Sequence, residues 1–267
     1  MKNNFVIVSA LFNIKREGMD GRKWESYLEW FDITLKLKCP MILFVSEDVE
    51  SFIRERRPDA HIIVEETEEI PYWGLKDKLD EIISSEDYRD KIQDPDRIEC
   101  QHSEYSIIQY SKFKWLQRAI DADPFDSKYF FWLDAGGSRF FEDYDLNLEY
   151  PSPNALNSLN SMGDTFLIQM NMEYYKDLCN AKELPIDYLF DNRSYILGSM
   201  FGGSVQGINK VSKDIDNILK CDMIGNGFIN NEQIALGYLV KKNPDNFSVY
   251  ERYNGKHMAL FKELGKR

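Results

Sequence analysis

Phe130-Phe-Trp-Leu-Asp-Ala-Gly-Gly-Ser-Arg-Phe140 opens on four large apolar residues and ends in an acid, small residues and an arginine-aromatic pair. An unbroken apolar run of strand length reads as a strand covered on both faces, the pattern of a parallel sheet flanked by helices. Tyr129 to Leu133 is therefore expected to be a buried strand ending at Asp134. In such sheets ligands gather outside the carboxyl ends of the strands. Asp134 falls at that edge, and Ala135, Gly136 and Gly137 leave room for a ligand or metal to approach the backbone. A carboxylate there can hold a divalent cation that offsets diphosphate charge. The plain alternative is an ordinary aspartate at a strand-to-turn junction.

Working outward, Phe5 to Leu11 is a second apolar run, read as a first core strand rather than a signal-peptide core because no small-x-small cleavage site follows it. A helix is expected over about Arg22 to Lys38, then a strand at Met41 to Val45, a helix at Val49 to Arg56 and a strand at Ala60 to Val64. Strand and helix in alternation give an α/β chain with a parallel sheet. Glu65 to Asp96 reads as one surface helix and a loop, and Ser103 to Ile120 as a long helix. Beyond Phe141, Asn154 to Gly163 reads as polar loop, Thr165 to Met170 as a strand and Tyr174 to Lys182 as a short helix. Tyr195 to Phe201 is strand-like and runs into Gly202-Gly203; helices follow at about Ser212 to Cys221 and Asn231 to Lys241, before a mixed tail.

The chain has 267 residues, 43% hydrophobic and 14% aromatic, with a net charge of -12. That is enough to bury a sizeable core. The acidic balance argues against nucleic acid or an anionic membrane as partner, and no segment reaches the ~20 apolar residues of a membrane helix. The four cysteines are scattered without a CxxC pair and read as free thiols. P-loop and dinucleotide fingerprints, a nucleophile elbow and HExxH are all missing from the sequence.

Four further features can carry chemistry. Lys112 falls on the inward face of its helix with Ile108, Trp115, Leu116 and Ala119; it either snorkels to water or holds its amine near the sheet edge for an anion. Gly202 and Gly203 mark a turn or the close approach of a sugar or phosphate. Asn230-Asn-Glu-Gln233 reads as a capped helix start, with Asn230 as cap, and equally as a pocket in which Glu232 and Gln233 bind sugar hydroxyls. His257 is structural, exposed, or a metal partner of Asp134.

These residues, taken in order, resemble the bacterial HtrL/YibB-like (WlaTC/HtrL) glycosyltransferase-like family. The resemblance rests on Ile7-Val-Ser-Ala-Leu-Phe-Asn-Ile14, Trp24 with Tyr27-Leu28, Ser111-Lys112-Phe113, Trp132-Leu-Asp-Ala-Gly136 with Arg139-Phe140, Phe201-Gly-Gly203 and Glu232-Gln233. It implies a GT-A-like, Rossmann-related α/β fold: a mixed, mostly parallel sheet flanked by helices. It implies one domain over 1–267, with about 1–136 binding the nucleotide sugar and about 137–267 forming the acceptor side and tail. In that fold the central strand ends in Asp-x-Asp; here Asp134 matches the first acid and Gly136 replaces the second.

The expected activity is transfer of a sugar from a nucleotide-sugar donor, a UDP-sugar being favoured, to a hydroxyl acceptor. The resemblance places the acceptor in a surface glycan or lipopolysaccharide, and the protein in the cytoplasm or at the inner membrane face. Ser9, Ala10 and Leu11 would contribute to the base or ribose pocket, with Lys112, Asp134, Ala135 and Gly136 completing the donor site. Manganese or magnesium would sit on Asp134 with His257. Glu232 would serve as base in an inverting enzyme, or orient the donor in a retaining one, with Gly202, Gly203 and Gln233 against the acceptor. A nucleotidyltransferase and a noncatalytic carbohydrate-binding or assembly protein are the alternatives.

Overall fold

A computed structural model describes residues 5–142, 145–171, 178, 180, 181, 184, 187–192, 196–252 and 258–265. Its centre is a seven-stranded sheet: β1 (Phe5–Leu11), β2 (Met41–Val45), β3 (His61–Val64), β4 (Tyr129–Leu133), β5 (Phe166–Asn171), β6 (Met200–Ser204) and β7 (Phe247–Arg252). The order across it is β3-β2-β1-β4-β6-β5-β7, and only β6 runs antiparallel to its neighbours. This is the expected α/β architecture, a mixed and mostly parallel sheet with helices on both faces.

The helices are α1 (Trp24–Thr34), α2 (Glu47–Arg56), α3 (Lys76–Ser84), α4 (Ser103–Ala122), α5 (Pro153–Met162), α6 (Val205–Asn217), α7 (Glu232–Lys242) and α8 (Ala259–Gly265), with shorter turns between them. Alternation along β4 shows why its apolar run is continuous. Phe130 and Trp132 join the layer formed with α3, α4, α6 and α7. Tyr129, Phe131 and Leu133 point the other way, into the layer of α1, α2, α5 and α8. A polar residue on either face of β4 would be buried without water, which is costly unless it finds a partner.

The two glycines of β6 are explained by the sheet rather than by a turn. Gly202 pairs with Phe131 and Gly203 with Phe130. A Cβ on Gly202 would lie 2.1 Å from the Phe130 carbonyl oxygen, and one on Gly203 would lie 2.4 Å from that of Thr165. Strand β6 therefore continues through both glycines to Ser204, whose side chain accepts from the Gly207 amide and starts α6.

Other expectations need correcting. Residues 154–163 are not polar loop but α5, started by the Ser152 hydroxyl accepting from the Ala155 amide and by Pro153 in the first turn. Its many Asn and Ser residues face outward, while Ala155 and Leu159 fill the core face. Helix α6 begins seven residues earlier than expected and continues into a π-helical turn at Ile218–Met223. Helix α1 stops at Thr34, short of Lys38. The mixed tail contributes β7, which pairs with β5 in parallel, and α8. Most of the helix expected at Tyr174 to Lys182 lies outside the described residues.

Candidate functional site

Strands β1 and β4 are adjacent and parallel, so the segments leaving their carboxyl ends meet at one edge of the sheet. Between them and the amino-terminal half of α4 opens a cleft of about 440 Å³. Its apolar wall is a stack of rings from three elements. Phe12 lies on Trp115 at 5.5 Å with planes 5° apart, and Trp115 lies on Trp132 at 5.8 Å and 6°. Trp115 is fixed from behind, its indole N–H donating to Glu65 Oε2 at 3.0 Å.

The polar lining is mainly cationic, despite the acidity of the whole chain. Lys15, Arg16, Arg22, Lys112 and Arg139 line the cleft, against the carboxylates of Glu17 and Asp134. Arg16 is committed: it binds Asp20, donates to the Tyr27 hydroxyl at 2.9 Å and lies over the Tyr105 ring. Arg22 approaches Asp20 at 3.5 Å. Arg139 lies over the rings of Trp30 and Phe140 and, among the described residues, has no carboxylate in ion-pair range; Lys15 has none either. Partial burial, followed by the positive charge of Arg22, lowers the pKa of Arg139. A bound anion would reverse that penalty.

At the floor, Asp134 emerges from β4 into a tight turn, its carbonyl accepting from the Gly137 amide at 2.7 Å. The carboxylate is about one-third exposed, and its Oδ1 accepts from the Trp132 indole at 2.6 Å and from Lys112 Nζ at 3.0 Å. Lys112 does not snorkel to water. It is 2% exposed, and Nζ also donates to Glu232 Oε1 at 2.9 Å and to the Gly198 carbonyl at 3.1 Å. Burial alone would lower the lysine's pKa, but Asp134 and then Glu232 raise it above its ordinary value. Burial raises the pKa of Glu232, against the pull of Lys112. Glu232 Oε2 is buried with no partner among the described residues.

Glu232 is the first residue of α7, and several buried groups fix it there. The helix cap is Asn231 rather than the expected Asn230: its side chain accepts from the Ile234 amide at 3.0 Å. Asn230 instead donates to the Leu189 and Asp191 carbonyls, and the Tyr110 hydroxyl donates to the Asn230 carbonyl at 2.9 Å. Gly198 leaves the space Glu232 occupies, since a Cβ there would lie 2.2 Å from Oε1. Asn231→Ala is expected to lower stability by about 1 kcal/mol, through the lost cap, and to appear as a lower urea midpoint with unchanged slope.

The structure thus brings Ala10, Leu11, Lys112, Asp134, Ala135 and Gly136 to one cleft, with Glu232 behind Lys112. Ser9 is adjacent but turned into the sheet, where its hydroxyl donates to the Leu133 carbonyl at 2.6 Å. Gly202, Gly203 and Gln233 do not line the cleft. His257 lies outside the described residues.

A divalent ion does not fit the described residues at Asp134. The carboxylate already faces an ammonium on Oδ1, and no group of three or more His, Cys, Asp or Glu able to hold a metal occurs among the described residues. A side chain at position 136 would begin 3.2 Å from the Trp30 ring and 3.5 Å from that of Tyr27, so an acid there would start against those rings.

A family model described as "Bacterial protein of unknown function (HtrL_YibB)" matches residues 3–265. The chain belongs to the HtrL_YibB family. Among curated proteins a search finds no match. Among solved structures, the crystal structure of mouse xyloside xylosyltransferase 1 in its apo form is similar with a TM-score of 0.42 and 11% identity, over 92% of this chain and 84% of that one. That likeness is too distant to say what this HtrL_YibB protein binds. No helix among the described residues is long and apolar enough to cross a membrane.

Reading the sequence missed Arg22, Arg139 and the ring stack as parts of the site. Arg139 follows Asp134 by five positions on the same loop, and Lys15-Arg16 lies in the loop that leaves β1. Both loops leave carboxyl ends of neighbouring parallel strands, which is the signal that pairs them.

Proposed function

We propose that this protein is a glycosyltransferase that moves a sugar from a nucleotide-sugar donor, a UDP-sugar being favoured, to a hydroxyl of a glycan acceptor. A surface glycan or lipopolysaccharide is the acceptor this reading favours. The observation that carries it is the cleft at the carboxyl ends of β1 and β4, with stacked rings on one wall and, at its mouth, cations that have no carboxylate partner among the described residues, in a chain of charge -12. A nucleobase lies against the ring wall beside Ala10 and Leu11, and the diphosphate meets Lys15, Arg22 and Arg139. The sugar lies along the turn at Ala135 and Gly136, which lines the same cleft.

The acceptor hydroxyl oxygen attacks the anomeric carbon as the sugar–diphosphate bond breaks; the nucleoside diphosphate leaves with the electron pair, and the hydroxyl proton passes to the departing phosphate oxygen. Arg139 and Lys15, lining the same cleft, stabilise the charge on the departing diphosphate electrostatically, while Lys112 offsets the carboxylates of Asp134 and Glu232 at its floor. Glu232, wholly buried behind Lys112, keeps the lysine in place rather than taking the acceptor's proton. No step in this reading passes through a metal ion.

Calorimetric titration of a panel of nucleoside diphosphates and nucleotide sugars tests the reading. One nucleotide is expected to bind with 1:1 stoichiometry, and its sugar derivative to release nucleoside diphosphate when an acceptor glycan is supplied. Binding of none by folded protein would refute it. A nucleotidyltransferase is the second reading, with Lys15, Arg16 and Gly18 in the loop after β1 but no glycine-rich run beside them; release of pyrophosphate from a nucleoside triphosphate and a sugar phosphate would establish that instead.

A further inference from the structure

Three features of the cleft concern how a doubly charged phosphate group is neutralised there. First, Asp134, the carboxylate at the floor, shares Oδ1 between the Trp132 indole and the Lys112 ammonium, so the place beside it already holds a fixed cation. That cation is itself held by Glu232 and the Gly198 carbonyl, and is almost wholly buried. Second, position 136 carries no acid and aims any Cβ at the rings of Trp30 and Tyr27. Third, Arg139 and Lys15 line the cleft with no carboxylate partner among the described residues, while Arg16 and Arg22 in the same lining reach Asp20. A planar guanidinium presents two parallel donors that match phosphate oxygens.

Building on the nucleotide-sugar reading, we propose that the cleft neutralises its ligand's diphosphate with the chain's own cations and without a divalent ion. Arg139 and Lys15 act at its mouth, and Lys112 is fixed beside Asp134. Arg139 and Lys15 contact the phosphate oxygens; Lys112 offsets the Asp134 and Glu232 carboxylates, so that the floor does not repel the ligand. Asp134 serves as a counterion for Lys112 rather than as a metal ligand.

The test is calorimetry on the intact chain with UDP, GDP, CDP and dTDP and the matching monophosphates, each in EDTA and again in manganese chloride. One diphosphate is expected to bind with the same dissociation constant in both solutions, and its monophosphate roughly ten-fold more weakly. Arg139→Gln and Lys15→Gln, both at exposed positions, are each expected to weaken the diphosphate roughly ten-fold with an unchanged melting temperature. Binding that appears only with manganese would overturn the proposal while leaving the nucleotide reading intact. Unchanged affinity in both variants would overturn the assignment of the cations. No binding in either solution would refute the nucleotide reading and this proposal with it.

Discussion

Lys112→Met is expected to destabilise the protein by about 3–5 kcal/mol at neutral pH, the cost of leaving a buried charge without its partner. Methionine fills much of the same space, so lost packing is the smaller part. The substitution strands Glu232, which is fully buried and whose Oε2 already has no partner among the described residues. Adding Glu232→Gln is expected to recover more than half of the loss, and a double-mutant cycle in urea measures the coupling.

The pH dependence of the single variant follows from the same pair. Burial raises the folded-state pKa of Glu232 above 4.5, and removing Lys112 raises it further. For an acid shifted upward, stability is fully present below the unfolded pKa and is lost as pH rises through the folded one. The deficit of Lys112→Met is therefore largest near neutrality and shrinks as pH falls toward 4.5. Lys112 in the wild type is raised above 10.5 by Asp134 and Glu232 against the opposing effect of burial. Its contribution persists below that pH and disappears as pH climbs through the raised value. A deficit that does not change between pH 7 and pH 5 would show that the buried charge is not its cause.

Gly202→Ala has the second large effect. The new methyl would enter the β4–β6 ladder 2.1 Å from the Phe130 carbonyl and 2.7 Å from the Phe131 Cα, both backbone atoms that no rotamer change can move. Its φ of +158° adds to the strain. We expect a loss of at least about 3 kcal/mol, through overpacking and displaced strands, seen as a much lower denaturation midpoint or as protein recovered unfolded. Alanine at Gly163, where a Cβ meets nothing within 4 Å, has only its own φ of +69° to accommodate and serves as the comparison. Equal effects at the two positions would mean that backbone conformation, not the close strand contact, fixes Gly202.

Much of the fold was legible because burial on both faces leaves a plain mark. The apolar runs of β1, β2 and β4 gave their strands nearly to the residue, and Lys112 stood out as a charge on an apolar helix face. Amphipathic and edge elements left weaker marks. Helix α5 is rich in Asn and Ser, which favour caps and turns, and it is tertiary packing of Ala155 and Leu159 that makes it helical. The glycines of β6 look like a turn in one dimension; only the neighbouring backbones of β4 and β5 show why a strand needs them.

The site was legible in its separate pieces but not in their joining. Asp134, Lys112 and Glu232 lie 22 and 98 positions apart in sequence, and nothing local says that one ammonium bridges both carboxylates. Knowing that bridge changes the chemistry expected of Asp134, from metal ligand to counterion.

A crystal soaked with the diphosphate that binds in solution would show where the nucleotide sits. The base should lie against Phe12, the outer ring of the stack, and the phosphates between Lys15, Arg22 and Arg139, in the cleft where β1 and β4 end. Nucleotide density elsewhere on the surface, with that cleft filled only by water, would contradict it.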